Sequence, residues 1–133
     1  MDRSEIGYIL SELRAGAPLS GKLGKYAIIS IESGRTSYPV ANMIIYCKDY
    51  SIKIEIVDRI RSERHEIREV DDVHRLIRFM IKDRKINMAS LNRAINRNYT
   101  SKDKTGSGIP ISINMLLIIL DYFKCDLKFT KME

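Results

Sequence analysis

The sequence is short of several things, and each shortage narrows what the chain can be. No apolar run reaches the roughly 18 residues that a membrane-spanning helix needs. Cysteine occurs twice, as Cys47 and Cys125. That is too few for a disulfide framework. The pair fits free, buried thiols in a reducing compartment better than a single bridge. Histidine also occurs only twice, as His65 and His74. Neither stands near a serine or cysteine in a nucleophile–base arrangement, and with the two cysteines they lack zinc-ligand spacing. Residues 102–108, KDKTGSG, echo a phosphate loop without its GxxxxGK[ST] order. No enzymatic activity, metal or cofactor is therefore expected. The opening MDRSEIGYILSELR mixes acids with bases and has no signal-peptide core, so a cytoplasmic protein is expected.

What is present is a chain of 133 residues with 44% hydrophobic side chains, enough for one small domain or two very small ones. Its formal charge of +6 is unevenly placed. Residues 1–58 carry seven basic and seven acidic side chains. Residues 73–133 carry twelve and five. The cationic excess is densest at 73–104, where Arg75, Arg78, Lys82, Arg84, Lys85, Arg93, Arg97, Lys102 and Lys104 face only Asp83 and Asp103. Such a patch attracts polyanions, because contact with phosphates releases their condensed counterions. An ordinary solvated helix face is the alternative.

One phrase occurs twice. NMIIYCKDYSIKIEI at 42–56 returns as NMLLIILDYFKCDLKF at 114–129. Asn42/Asn114, Met43/Met115, Asp49/Asp121 and Tyr50/Tyr122 stand 72 apart, so Tyr50 and Tyr122 are expected in equivalent places. Upstream, SEIGYILSELR at 4–14 reads as a helix capped by Ser4. DDVHRLIRFMIKDRK at 71–85 reads as one capped by Asp72. Ile6, Ile9 and Leu10 match Ile77, Met80 and Ile81 at an offset of 71, as Pro39 matches Pro110. Each copy ends in alternation at period two, Ile52-Ile54-Ile56 and Cys125-Leu127-Phe129, which predicts strands that pair and join the halves. Residues 65–70, HEIREV, offer a third strand or else charged linker. The expected organisation is a first repeat at 1–58, a charged linker at 59–71 and a second, basic repeat at 72–133. The expected fold is mainly α with a small antiparallel β-sheet, each repeat ending in a strand.

Ile31-Glu32-Ser33-Gly34-Arg35, then Pro39, then a helix with Met43, Ile44 and Tyr46, resembles the λ-repressor/Cro-like (XRE-type) helix-turn-helix family. In the second half, Ser90-Leu91-x-x-Ala94-Ile95 is similar to that motif's second helix, and Ile111-Ser112 with LLIIL is similar to its last. The resemblance spans nearly the whole chain through short motifs. It implies two tandem helix-turn-helix-like repeats and a DNA-binding transcriptional regulator of repressor or antitoxin type, of the kind found in phages and mobile elements. Some members append a strand that dimerises. Two stretches depart from the pattern. SGKLGKYA holds two glycines where a helix is due, and TSKDKTGSG reads as a loop where the reading helix is due.

Candidate contacts to duplex DNA follow. Asn87, Ser90, Arg93 and Arg97 recur at helical spacing, and Asn and Arg can read adenine and guanine edges in the major groove. Tyr99, Ser101, Lys102, Lys104 and Thr105 are placed to grip phosphates, with Gly106 and Gly108 allowing close backbone approach. Lys22, Lys25, Arg35 and Thr36 are the first-half counterparts. The competing reading is a degenerate helix-turn-helix module that binds protein, such as a phage-type inhibitor of a host nucleic-acid enzyme. Homodimerisation, through the strands or an apolar helix face, stays open. The expected core comprises Ile9, Leu10, Leu13, Ile44, Ile45, Ile77, Ile81, Leu91, Leu116, Leu117, Ile119 and Leu120.

Overall fold

A computed structural model describes residues 1–19, 21–96, 99 and 110–132. Helix α1 (Arg3–Arg14) packs on α2 (Lys25–Ser33), and α3 (Val40–Asp49) leads into strand β1 (Ile52–Asp58). Strand β2 (Glu63–Ile67) folds back on β1. Helices α4 (Val70–Asp83), α5 (Met88–Ile95) and α6 (Ile113–Tyr122) follow, and β3 (Cys125–Lys131) ends the chain. The sheet is antiparallel with order β2-β1-β3. The protein is thus mainly helical with a small antiparallel sheet.

Local chemistry explains the element ends. Asp2, not Ser4, caps α1, its Oδ1 accepting the Glu5 N–H at 2.8 Å. Helix α4 starts at Val70, earlier than its apolar stripe suggested. Asp72 sits inside its first turn and accepts the N–H groups of Arg68 and Glu69 at 2.9 and 3.0 Å. The stretch 59–71 is more than a linker, since it holds β2, which begins at Glu63 rather than His65. Gly34 ends α2 in the left-handed conformation (φ 65°), and a Cβ there would meet the Arg3 backbone at 2.6 Å.

The two helix–strand units α3–β1 and α6–β3 meet about a local pseudo-twofold axis. Helix α3 with β1 matches α6 with β3 at an offset of 73. The N-caps are Pro39 and Ser112, the C-caps Tyr50 and Phe123, and the left-handed residues Ser51 and Lys124. Val40, Met43, Tyr46, Cys47 and Tyr50 are buried, as are Ile113, Leu116, Ile119, Leu120 and Phe123. The β1–β3 register obeys the same symmetry, for Glu55 lies opposite its own counterpart Lys128. So does the isolated bridge between Pro39 and Ser112. There Val40 N donates to Ile111 O, and Ile113 N to Tyr38 O, both at 2.8 Å.

This geometry shifts the repeat by one residue from the identities Asn42/Asn114 and Asp49/Asp121. Tyr50 therefore corresponds to Phe123, while Tyr122 is half-buried beside it, the two rings edge to face at 5.1 Å. For α1 and α4 the caps Asp2 and Glu69 align at an offset of 67, with Ile6, Leu10 and Leu13 on Val73, Ile77 and Met80. The offset of 71 differs by four residues, one helical turn, and an apolar stripe repeats nearly identically each turn. Of the expected core, Leu10, Ile44, Ile77, Leu91, Leu116, Ile119 and Leu120 are buried. Ile9, Leu13, Ile45, Ile81 and Leu117 are half-buried at its margin.

Candidate nucleic-acid interface

Helix α5 carries the best-placed candidates. Asn87 caps it, its Oδ1 accepting the Ala89 N–H at 2.7 Å. Leu91 and Ile95 are buried, and Asn96 ends the helix in the left-handed conformation. With that face packed, the opposite face shows Ser90 and Arg93 to solvent beside the exposed Asn87. Asn87 contributes its amide nitrogen to that surface, because its oxygen serves the cap. Arg97, Lys102 and Lys104, with Ser101, Thr105, Gly106 and Gly108, lie outside the described residues.

Tyr99 has a different place from the one expected. It is 6% exposed, and its Oη lies 2.7 Å from Nδ1 of the fully buried His74. Burial raises the phenol well above its ordinary pKa. Its backbone N–H is held by Asn92 Oδ1 at 3.0 Å. The ring therefore fastens the segment after α5 to α4 and does not present a hydroxyl to phosphate. A hydroxyl-bearing aromatic beside a basic run reads equally well as surface or core from sequence, and only the buried histidine decides.

The basic residues from α4 through α5 divide into tied and open groups. Arg75 pairs with Asp71 and Asp72 at 2.8 and 3.2 Å on the exposed helix face. Arg84 turns inward, reaching Asp58 Oδ2 and the Phe123 carbonyl, both at 2.5 Å. Asp58 is 1% exposed. Burial works against its charge, but N–H bonds from Arg61, Arg84 and Ile60 outweigh that and hold the carboxyl below its usual range. Lys82, Lys85 and Arg93 are exposed, and no acid among the described residues pairs with them. The usable cationic surface of the described second half is thus smaller than its sequence count.

In the first half the candidates do not gather. Lys22 and Lys25 flank the α2 N-cap Gly24, where no side chain caps the helix. The Lys22 backbone N–H is taken by Asp49 Oδ2 at 2.9 Å. Arg35 follows the far end of α2, about 15 Å away along the axis. Its carbonyl and that of Gly34 accept from the Arg3 guanidinium at 3.3 and 3.2 Å. Thr36 Oγ1 is 3.1 Å from Ser30 Oγ. Sequence reasoning passed over the most exposed feature of α2, Tyr26 at 85% with Ile29 at 47% one turn on. Large apolar groups at i and i+3 on a helix that also buries Ile28 and Ile31 were the available signal.

No described helix is long and apolar enough to cross a membrane. No protein-family model matches the chain, and neither a curated protein nor a solved structure matches it.

Proposed function

We propose that the protein is a duplex-DNA-binding regulator of repressor or antitoxin type that holds DNA with its basic second half. The reading rests first on the exposed polar face of α5, where Ser90 and Arg93 stand in the half that carries the cationic excess. The pseudo-twofold supports it, because paired helical units related by a dyad suit the local symmetry of a duplex. The resemblance of both halves to λ-repressor/Cro-like helix-turn-helix units supports it further, with a small helix preceding α3 and α6 in each. In this reading Arg93 reads or positions the major-groove edge, Ser90 contacts phosphate or base, and Lys82 and Lys85 supply salt-sensitive attraction.

The test is duplex affinity measured across a salt series with the intact protein. A regulator gives a log–log slope of several units and binds one sequence far more tightly than random duplex. Arg93→Glu lowers affinity about tenfold or more and flattens the slope by at least about one unit. Equal, weak binding to all duplexes, unchanged by Arg93→Glu, sinks the reading. The second reading, a protein-binding module, is favoured by Tyr26 and Ile29 on α2 of the neutral half. Tyr26→Ala separates the two: a DNA reader that uses α5 keeps its affinity, while a module that docks through α2 loses its partner.

A further inference from the structure

Each helix–strand unit borders a groove, and the two grooves differ in charge. In the first half, a groove of about 370 Å³ runs beside Ile44, Cys47, Lys48, Ile52, Lys53 and Ile54 and is closed on its far side by Glu66 to Glu69. Adding 73 to those six numbers gives Leu117, Leu120, Asp121, Cys125, Asp126 and Leu127. These line a second groove of about 610 Å³, closed on its far side by Met1 to Arg3. The closing walls correspond as well, for Glu69 and Asp2 are the equivalent caps of α4 and α1. The grooves are therefore symmetry mates. In the first, Ile67 of β2 forms part of the wall and is buried. No described residue takes that place in the second, where Ile118 is 42% exposed at the margin.

The rims carry opposite charge. Lys48 and Lys53 of the first groove give way to Asp121 and Asp126 in the second. At the first groove Lys48 meets Glu69 at 3.9 Å. The same two places in the second hold Asp121 and Asp2, an acid at each. Asp121 pairs with no cation among the described residues. Asp126 meets Arg59 at 3.2 Å, a half-exposed pairing that a second cation can share. Arg3 brings no relief, because its guanidinium is held by Asn114 Oδ1 at 3.0 Å and by the Gly34 and Arg35 carbonyls. Asp121 also lies in the last turn of α6, where the negative end of the helix dipole disfavours a carboxylate and favours a cation. Its counterpart Lys48 has the favourable sign on α3. Arg84, which serves the α6 end at the Phe123 carbonyl, turns to Asp58 and not to Asp121. In a chain of formal charge +6, this groove is a local anionic spot with an apolar lining of Leu117, Leu120 and Leu127.

We propose that the second groove docks a segment of a partner protein in which an aliphatic side chain stands beside a lysine or arginine. The aliphatic group packs on Leu117, Leu120 and Leu127, as Ile67 does on its own side of the mate. The cation meets Asp121 and Asp2, completing from outside the acid–base bridge that Lys48 and Glu69 make within the chain. Asp126 attracts a second cation along the same rim. The site is built by the start of α1, by α6 and by β3, and it uses no residue assigned to DNA contact.

A short synthetic peptide of alternating leucine and lysine, titrated into the full chain and followed by fluorescence anisotropy and methyl NMR, tests this. The expected result is saturable binding with shifts at the methyl groups of Leu117, Leu120 and Leu127. Asp121→Lys and Asp126→Lys each weaken that binding about tenfold. Asp121 and Asp126 are both exposed, so the variants should fold. Asp121→Asn removes the charge with little change of shape; it weakens binding about threefold and decides the matter if a lysine variant does not fold. None of these changes lowers duplex affinity, so the outcome is separate from that of the DNA reading. Absence of binding at about 1 mM peptide overturns the proposal. So does equal binding of a leucine–glutamate or a serine–lysine peptide, since the groove then lacks the selectivity assigned to it. Variants that bind like the parent overturn it as well, as do shifts that map to Tyr26 and Ile29 on α2 instead of the groove.

Discussion

The two halves share a plan and differ in how they fasten it. In the first half, the helices close through a polar knot. Arg14 reaches Glu32 through Nε at 2.5 Å and NH2 at 3.0 Å, Tyr46 Oη donates to Glu32, and the same hydroxyl lies 3.1 Å from the Leu10 carbonyl. In the second half, the counterpart of Tyr46 is Ile119, fully buried and without a polar group. Polar anchors stand elsewhere in that half, at the buried His74–Tyr99 pair and at the strand end, where Arg84 grips Asp58. The C-cap carbonyls show the same division. Lys131 Nζ donates to Tyr50 O, whereas Arg84 donates to Phe123 O. A cation at a helix C-terminus is favourable in either case, since it meets the negative end of the helix dipole. Different residues supply it, and both come from the second half. Equivalent positions therefore constrain backbone geometry far more tightly than they constrain side-chain chemistry.

The sharpest way to break this contrast is at Arg84. Arg84→Met leaves Asp58, 1% exposed, without its cation, and stability should fall by about 3–5 kcal/mol in urea denaturation. A loss under 1 kcal/mol means that the strand-end anchor is dispensable.

A smaller effect is expected at Gly7, the counterpart of His74. A Cβ on Gly7 would lie 2.3 Å from the Glu32 carbonyl oxygen, so α1 and α2 touch only because no side chain intervenes. Gly7→Ala should cost about 1–3 kcal/mol by forcing the pair apart, despite alanine's better helix propensity. An unchanged or raised Tm contradicts that account of the α1–α2 contact.

The mildest probe is pH. Burial opposes the Glu32 charge, but hydrogen bonds from Arg14 and Tyr46 prevail and hold its carboxyl below the ordinary 4.5. A group whose folded pKa is depressed contributes stability above its unfolded value and loses it as pH falls through the folded one. Asp58 behaves alike from 3.8 downward. Stability should therefore hold at neutral pH and decline below about pH 4.5. Glu32→Gln should flatten the upper part of that decline while leaving the Asp58 part. Parallel curves for parent and variant would remove Glu32 from the knot.

The sequence made the elements legible where periodicity was strong. Leu10, Ile77 and Leu116 lie on faces their spacing assigns, and the alternation at 52–56 and 125–129 marks β1 and β3. It misled on phase. Identity at Asn-Met and Asp-Tyr is one residue out of step with spatial equivalence, because turns and caps, not letters, align the halves. The polar interior was not legible. Glu32, Asp58 and Arg84 read as ordinary surface charges, since nothing local says that Arg84 faces a buried acid twenty-six residues away, or Glu32 an Arg eighteen residues away. His74 and Tyr99 are separated by twenty-five residues and meet only through the packing of α4 against the segment after α5. Of the candidate interface, the Ser90–Arg93 face was legible because Leu91 and Ile95 fix the opposite face.

The register of β1 also carries a timetable. Its pairing with β2 closes a hairpin from neighbouring residues, which a growing chain can make as soon as residue 67 is free. Its pairing with β3 joins segments about seventy residues apart and must await residues 125–131. Until then one flank of β1 is bare while the other is already sheathed, so the nascent chain is most open to mispairing along the very seam that later unites its halves.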